Sequence, residues 1–412
     1  MDTGHEMEMN VMEASPDKAS QRANSKRKRR VIGFLTVNDA RDRSSWSGTV
    51  YYMSEALQRN CGDVVYLGPI QTPWTYLGKL LQSLSLRLTG KKYDYVRAKW
   101  YASRLAAIAQ KRIAKHDLDC IVAPAAAAAL AYIRKPMPPV FFVSDTTFSL
   151  INNYYKSFSG YLRVSITDGN QLAKLAMDRA RFVSFPSRWA AKSAINDYGV
   201  APEKIHVIPF GANLDNIPNA EVANKRQLSG ECRLLFLGVD WIRKGGDIAL
   251  EALLSLEKDY GIKAHLTVCG CEQPRGVDHE RITWLGFLDK RDPVQLRKLA
   301  GLFEETDYLL LPTRNECYGV VFCEASAYGV PSITTDTGGV PGVVAEGKNG
   351  YLLPEEARGD RYAKVIAGLE NDEQAYRELC LSSRREYESR INWDVWAEHV
   401  GKLFDSVVKR NS

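Results

Sequence analysis

The chain has 412 residues, 45% of them hydrophobic and 25% charged, and a formal net charge of +6. Those proportions describe an ordinary globular protein long enough for two domains. They exclude an integral membrane protein, because no apolar run is long enough to span a bilayer, and the mild charge gives no reason to expect nucleic acid as a partner.

Residues 1–30 are polar, lack periodicity and end in SKRKRR. They read as a disordered basic amino-terminal tail without the apolar stretch of a secretory signal. Order begins at VIGFLTV, a β-branched, apolar run typical of a strand covered on both faces. A loop, DARDRSSWSGT, leads to helical VYYMSEALQRN. The series continues through strand VVYL, a long helical region from about Tyr76 to His116, strands CIVAP and VFFVS, helical QLAKLAMDRA and strand FVSFPS. After IHVIPFGAN, the stretch LDNIPNAEVANKRQLSGE has the composition of a linker. A second series then runs through RLLFLGV, helical GGDIALEALLSLEKD, AHLTVCG, ITWLGFL, helical PVQLRKLAGLFEET, YLLLPT and VPSITTD. Short apolar strands alternating with helices predict parallel sheets with helices on both faces. The expected fold class is α/β: two Rossmann-like, doubly wound domains facing a central cleft, with ligands outside the carboxyl ends of the strands. The predicted domains are residues 31–212 and 213–386. A final helix at 387–412 carries apolar residues at helical spacing (Trp393, Trp396, Val400, Leu403, Phe404, Val407) that must bury against something.

Eight cysteines lie without repeating spacing, several in apolar runs, which suits buried, reduced thiols and a cytoplasmic protein. Cys269-Gly270-Cys271 has no second pair or histidine cluster beside it and reads as strand-end cysteines. Asp117-Leu118-Asp119 precedes strand CIVAP, on the amino edge, and reads as a polar turn; no metal site or cofactor is expected.

The segment LLLPTRNECYGVVFCEASAYGVPSITTD puts two glutamates in a small, apolar run. Carboxylates are seldom fully buried without a partner, so something polar must meet each. Glu316 falls in the loop after LLLPT, and Glu324 about two turns along the following helix. Eight helical steps would separate them by roughly 12 Å, wider than the roughly 5–9.5 Å of a glycosidase pair. They therefore suit two ends of one extended ligand. Between them Tyr318, Gly319 and Val320 open the helix with backbone N–H groups that favour an anion. Carboxylate, anion cradle and carboxylate in series match a sugar, a diphosphate and ribose hydroxyls. The alternative is structural: a helix cap at Glu316 and a surface arginine pair at Glu324.

In FLGVDWIRKGG, Lys244 and Arg243 stand at a strand's carboxyl end, where cations can neutralise a diphosphate. Gly286, in ITWLGFL, joins the donor-side positions. In the first domain SSWSGT offers Gly48, which lets backbone approach a ligand closely, with the Ser47 hydroxyl beside it. Asp145, in VFFVSDTTF, ends another strand and could orient a hydroxyl or simply cap a loop. Basic residues between 79 and 115, interleaved with Tyr93, Tyr95, Trp100 and Tyr101, read either as a solvated face or as a surface for an anionic membrane or acidic acceptor.

The spacing of Glu316 and Glu324, with FLGVDWIRKGGDIALEAL, PSRWAAKSAINDYGVAPEKIHVIPFGAN and GGVPGVVAEGKNGYLL in the same order, resembles the family-4 retaining glycosyltransferases of the GT-B fold. The resemblance covers nearly all of residues 31–400. It implies transfer of a sugar from a nucleotide-diphosphate sugar to a glycan, lipid or small molecule, with Glu316 on donor-sugar hydroxyls and Glu324 on the ribose. It also implies a glycine-bearing loop at SSWSGT and a final helix that crosses back to the first domain. Family members place an arginine directly after the glycine of FLG; here that position is Val239, and Arg243 is the candidate substitute. Many relatives carry a histidine near Asp145. An epimerase, a sugar phosphorylase or a non-catalytic sugar-nucleotide scaffold on the same fold are the alternatives. A nicotinamide oxidoreductase is disfavoured because neither first strand leads into G-x-G-x-x-G.

Overall fold

The computed structural model describes residues 29–407, so residues 1–28 of the tail read at 1–30, and residues 408–412 of the final helix read at 387–412, lie outside the described residues. The chain forms two compact units: one runs to Ile208 and resumes at Trp396, the other is Pro209–Val395.

The first unit holds a six-stranded parallel sheet of β1 (Arg30–Phe34), β2 (Gly62–Tyr66), β3 (Cys120–Pro124), β4 (Val140–Val143), β5 (Phe182–Phe185) and β6 (Ile205–Val207). Their order, β2-β1-β3-β4-β5-β6, reverses between β1 and β3. β3, β4 and β5 are buried along their whole length, as continuous apolar runs require when helices cover both faces. The segment from Trp396 adds to this core. Trp396 and Phe404 meet Phe141 edge-on at 6.2 and 6.0 Å between ring centroids, and the Cys61 thiol donates to Ala397 O.

The second unit holds β7 (Cys232–Leu237), β8 (Ala264–Cys269), β9 (Ile282–Trp284), β10 (Tyr308–Leu311), β11 (Ser332–Thr335) and β12 (Gly350–Leu353), all parallel. The order β12-β11-β10-β7-β8-β9 is the doubly wound pattern, with its reversal between β7 and β10. Loops leaving the carboxyl ends of two strands that diverge there leave a crevice between them, the position at which such sheets bind ligands.

Two readings need revision. The long helical region is two helices, Trp74–Thr89 and Lys99–Ile113; Gly90 in the left-handed conformation ends the first, and Lys92 pairs instead with Tyr161. The linker-like stretch is fastened into the second unit. Arg226 is buried and donates to Tyr328 O at 2.8 Å, Phe303 O at 2.6 Å and Thr306 O, while Ala223 packs beside Gly329. Composition registered the polar residues of this stretch and missed one arginine that satisfies three buried carbonyls.

Candidate active site

Two loops of the second unit, one after β7 and one after β10, meet beside the reversal point. The β7 loop is folded on itself. Lys244 N donates to Asp240 O at 2.9 Å and Gly246 N to Trp241 O at 2.7 Å, while Trp241 is buried against Phe236 and Trp284. Gly245 adopts φ +77°, and a Cβ on it would lie 1.9 Å from Pro312 O, so only glycine lets this loop lie so close to the strand beside it. The loops are then stitched together: Arg314 N donates to Arg243 O at 2.8 Å, and Arg243 Nη1 to Asn315 O at 3.0 Å. Arg314 also grips Asp247 in a fork at 2.8 and 2.7 Å, with Arg358 adding a contact at 3.3 Å. Burial works against the Asp247 carboxylate, but the two arginines outweigh it and hold its pKa below the ordinary value.

This frame sets Lys244 Nζ directly on Glu316 Oε2, with Arg243 Nη1 3.8 Å from the same oxygen. Lys244 is buried, so pairing is what keeps its charge tolerable. The Glu316 carbonyl accepts from Gly339 N at 3.0 Å, which anchors the Gly-rich loop after β11 to the same place. Helix Val320–Ala327 follows, capped by Gly319 at φ +92°, where a Cβ would strike the Phe322 ring at 2.5 Å. Its first turn presents N–H groups with no intrahelical acceptor at Val320. The Tyr318 side chain is a buried anchor, its hydroxyl donating to Phe210 O at 3.0 Å. The segment from Glu316 to Glu324 is helical only from Val320, so the eight-step helical separation does not apply.

Glu324 is buried and bound by Lys290 Nζ at 2.6 Å. Lys290 was missed by the sequence reading; the only signal for it was the need of a buried carboxylate for a cation, and an arginine was the partner considered. Gly286 lies at the same carboxyl edge two strands from the reversal, where Gly270 N donates to its carbonyl at 2.8 Å and a Cβ would meet open space.

In the first unit Ser47 and Gly48 follow β1, and Asp145 follows β4. Trp46 Nε1 joins the two loops by donating to Asp145 Oδ2 at 3.2 Å. Trp46 and Ser47 hold φ of +48° and +55°, rare for residues with a Cβ, and Ala125 after β3 holds +47°. Left-handed strain thus collects in the loops flanking this sheet's reversal. Asp119 lies at the amino edge, accepting Val31 N at 2.7 Å, which is the polar-turn role. Among the described residues no group of three His, Cys, Asp or Glu is placed to hold a metal ion. Cys61 is half-buried and the other seven cysteines are buried, and burial pushes the Cys269 thiol up to about 11.

A family profile described as Glycosyl transferases group 1 matches residues 231–372, and one described as Glycosyltransferase Family 4 matches residues 48–216. A D-inositol 3-phosphate glycosyltransferase of Geodermatophilus obscurus is 29% identical over 220 residues, 50% of this chain and 48% of that protein. One of Jonesia denitrificans is 30% identical over 230 residues, 50% of this chain and 53% of that protein. The chain thus spans about half the length of the curated relatives it matches. Among solved structures, a glycosyltransferase from Rickettsia africae aligns with TM-score 0.61 at 14% identity over 94% of this chain and 100% of that one. HepE from Anabaena, solved with UDP and glucose, aligns with TM-score 0.55 at 16% identity over 92% and 100%. The fold is the two-domain, Rossmann-like GT-B fold.

Proposed function

Because this chain belongs to the family-4 glycosyltransferases, we propose that it is a retaining enzyme moving a sugar from a nucleotide-diphosphate sugar to an acceptor without a catalytic metal. The observation that carries the reading is the convergence of Lys244 and Arg243 on Glu316 at the reversal point of the second sheet. One carboxylate faces two cations there, so an arriving diphosphate finds positive charge already assembled, and Glu316 is released toward donor-sugar hydroxyls. Charge growing on the leaving phosphate is met by Lys244, Arg243 and the first-turn amides around Gly319 and Val320. Glu324 takes the ribose hydroxyls, sharing or giving up Lys290 as it does so. A phosphate oxygen of the leaving group accepts the acceptor's proton on the same face, which preserves the anomeric configuration. Ser47 and Gly48 serve the diphosphate and acceptor, and Asp145 orients an acceptor hydroxyl or the donor sugar.

The same reading takes the chain as a cytoplasmic protein in peripheral contact with an anionic membrane through residues 79–115; no described helix is long and apolar enough to cross a bilayer. The names of the curated relatives make a phosphorylated polyol one acceptor to include in tests. The direct experiment incubates UDP-, GDP- and ADP-sugars with and without acceptors and reads the product anomer by NMR. Transfer with retained configuration, lost in Glu316→Gln, supports the proposal. Inverted product, or epimerised donor with no transfer, overturns it.

A further inference from the structure

The helix Trp74–Thr89 has its amphipathicity turned outward. Gly78 is its one buried residue. The side that meets the protein is mostly small or polar, with Leu81 half-buried on it: Thr75 Oγ1 lies 2.9 Å from the Tyr101 hydroxyl, Gly78 presses on Tyr95, and Ser85 Oγ donates to Lys91 O at 2.9 Å. The opposite side is leucine-rich. Tyr76 is 80% exposed, Leu80 64%, Leu84 48% and Leu88 75%. At helical spacing these four and Leu77 share one arc of about 120°. Single exposed leucines are common on protein surfaces; a contiguous row on an otherwise well-packed unit marks an interaction site.

Charge indicates the occupant. From Trp74 to Tyr93 the chain has no acidic residue; Lys79 flanks the leucine arc, Arg87 projects from within it near the helix's carboxyl end, and exposed Lys91 lies just beyond. Farther along, the arginines are engaged internally, while Lys99, Lys111 and Lys115 are exposed. Arg97 pairs with Asp94, Arg104 stacks on Trp74 at 4.2 Å and donates to Trp100 O, and Arg112 donates to Leu67 O at 2.8 Å. The surface built for contact is therefore apolar with a cationic margin. Sixteen residues of helix reach about 24 Å, too short to span a hydrocarbon core but sufficient to lie in its boundary.

We propose that the helix Trp74–Thr89 is an interfacial anchor whose leucine face enters the headgroup–acyl boundary of an anionic bilayer while Lys79 and Arg87 meet lipid phosphates. The inference rests on the membrane contact included in the reading above and replaces its purely basic surface with an inserted apolar one; it is independent of the transferase chemistry.

The test is sedimentation of the full-length protein with vesicles of phosphatidylcholine alone or mixed with phosphatidylglycerol. Wild type should bind the mixed vesicles and retain part of that binding in high salt. Leu80→Asp/Leu84→Asp alters only exposed positions and should lower the partition coefficient at least about tenfold. Lys79→Gln/Arg87→Gln should lower it less and abolish the preference for phosphatidylglycerol. Wild type that binds neither vesicle defeats membrane contact altogether. Leucine variants that bind like wild type while the charge variants do not defeat insertion, as does a dimer dissolved by Leu80→Asp/Leu84→Asp in a protein that ignores vesicles. Donor hydrolysis by the same variants without lipid reports on the transferase reading separately.

Discussion

Lys244 and Glu316 are 72 residues apart in the chain, yet Lys244 Nζ donates to Glu316 Oε2 where the order of the second sheet reverses. Neither side chain is comfortable alone: Lys244 is 8% exposed, and an unpaired charge at such a depth is costly. On the proposed function the pair is a stored partner exchange, in which a diphosphate takes the lysine and a sugar takes the glutamate. Glu316→Gln and Lys244→Ala should each lower kcat/KM by about 10²- to 10³-fold, with circular dichroism unchanged. Because both residues act on one event, the double variant should fall far short of the product of the single losses. Strictly multiplicative losses would mean that the two residues serve separate tasks.

Glycine geometry supplies a second, independent prediction. Gly245→Ala forces a methyl to within 1.9 Å of Pro312 O, whereas Gly286→Ala, also at positive φ (+64°), projects into open space. The Gly286 variant should pay only the left-handed backbone cost, about 1–2 kcal/mol. The Gly245 variant should melt several degrees lower still and lose turnover, because its loop carries Arg243 and Lys244. Equal melting temperatures for the two would contradict the tight approach.

The alternation of apolar strands and helices was legible because buried parallel strands leave continuous runs such as CIVAP and YLLL between stretches at helical period. The placement of Lys244, Arg243 and Glu316 was legible for a related reason, since each lies in the loop that follows such a run. Their mutual contact was not legible, because it depends on which strands become neighbours: β7 and β10 pair across two intervening strands. Lys290 and the Arg314–Asp247 fork stayed hidden for the same cause, because each pair joins residues distant in the chain. The outward leucine face of Trp74–Thr89 was not read from the sequence, since a pattern alone does not say which side turns to the protein.

If Lys244, Arg243 and backbone amides carry the leaving-group charge, a divalent cation has no charge left to neutralise there. Transfer should therefore proceed in EDTA at a rate within about twofold of the untreated enzyme. Loss of activity on chelation, restored by manganese or magnesium, would transfer the role of diphosphate neutralisation from these residues to a metal.

The last prediction concerns pH and lies in the first unit. His206, on the edge strand β6, sits with its ring 5.4 Å from Phe182, and its Nε2 finds no partner among the described residues. Burial lowers its pKa from the ordinary 6.5, because the imidazolium would be desolvated without compensation. In the unfolded chain the same ring takes up a proton near the ordinary value. Between that value and the lower folded one the unfolded state binds more protons, so stability rises with pH through this window. The contribution is complete above the ordinary value and is lost as pH falls below it. His206→Leu keeps the volume and removes the titration. Between about pH 7.5 and 5.5 the wild type should therefore lose more melting temperature than the variant, while the carboxylate contribution to both stays small. Parallel profiles across that interval would show that His206 protonates equally readily in the folded protein, and that water reaches its ring.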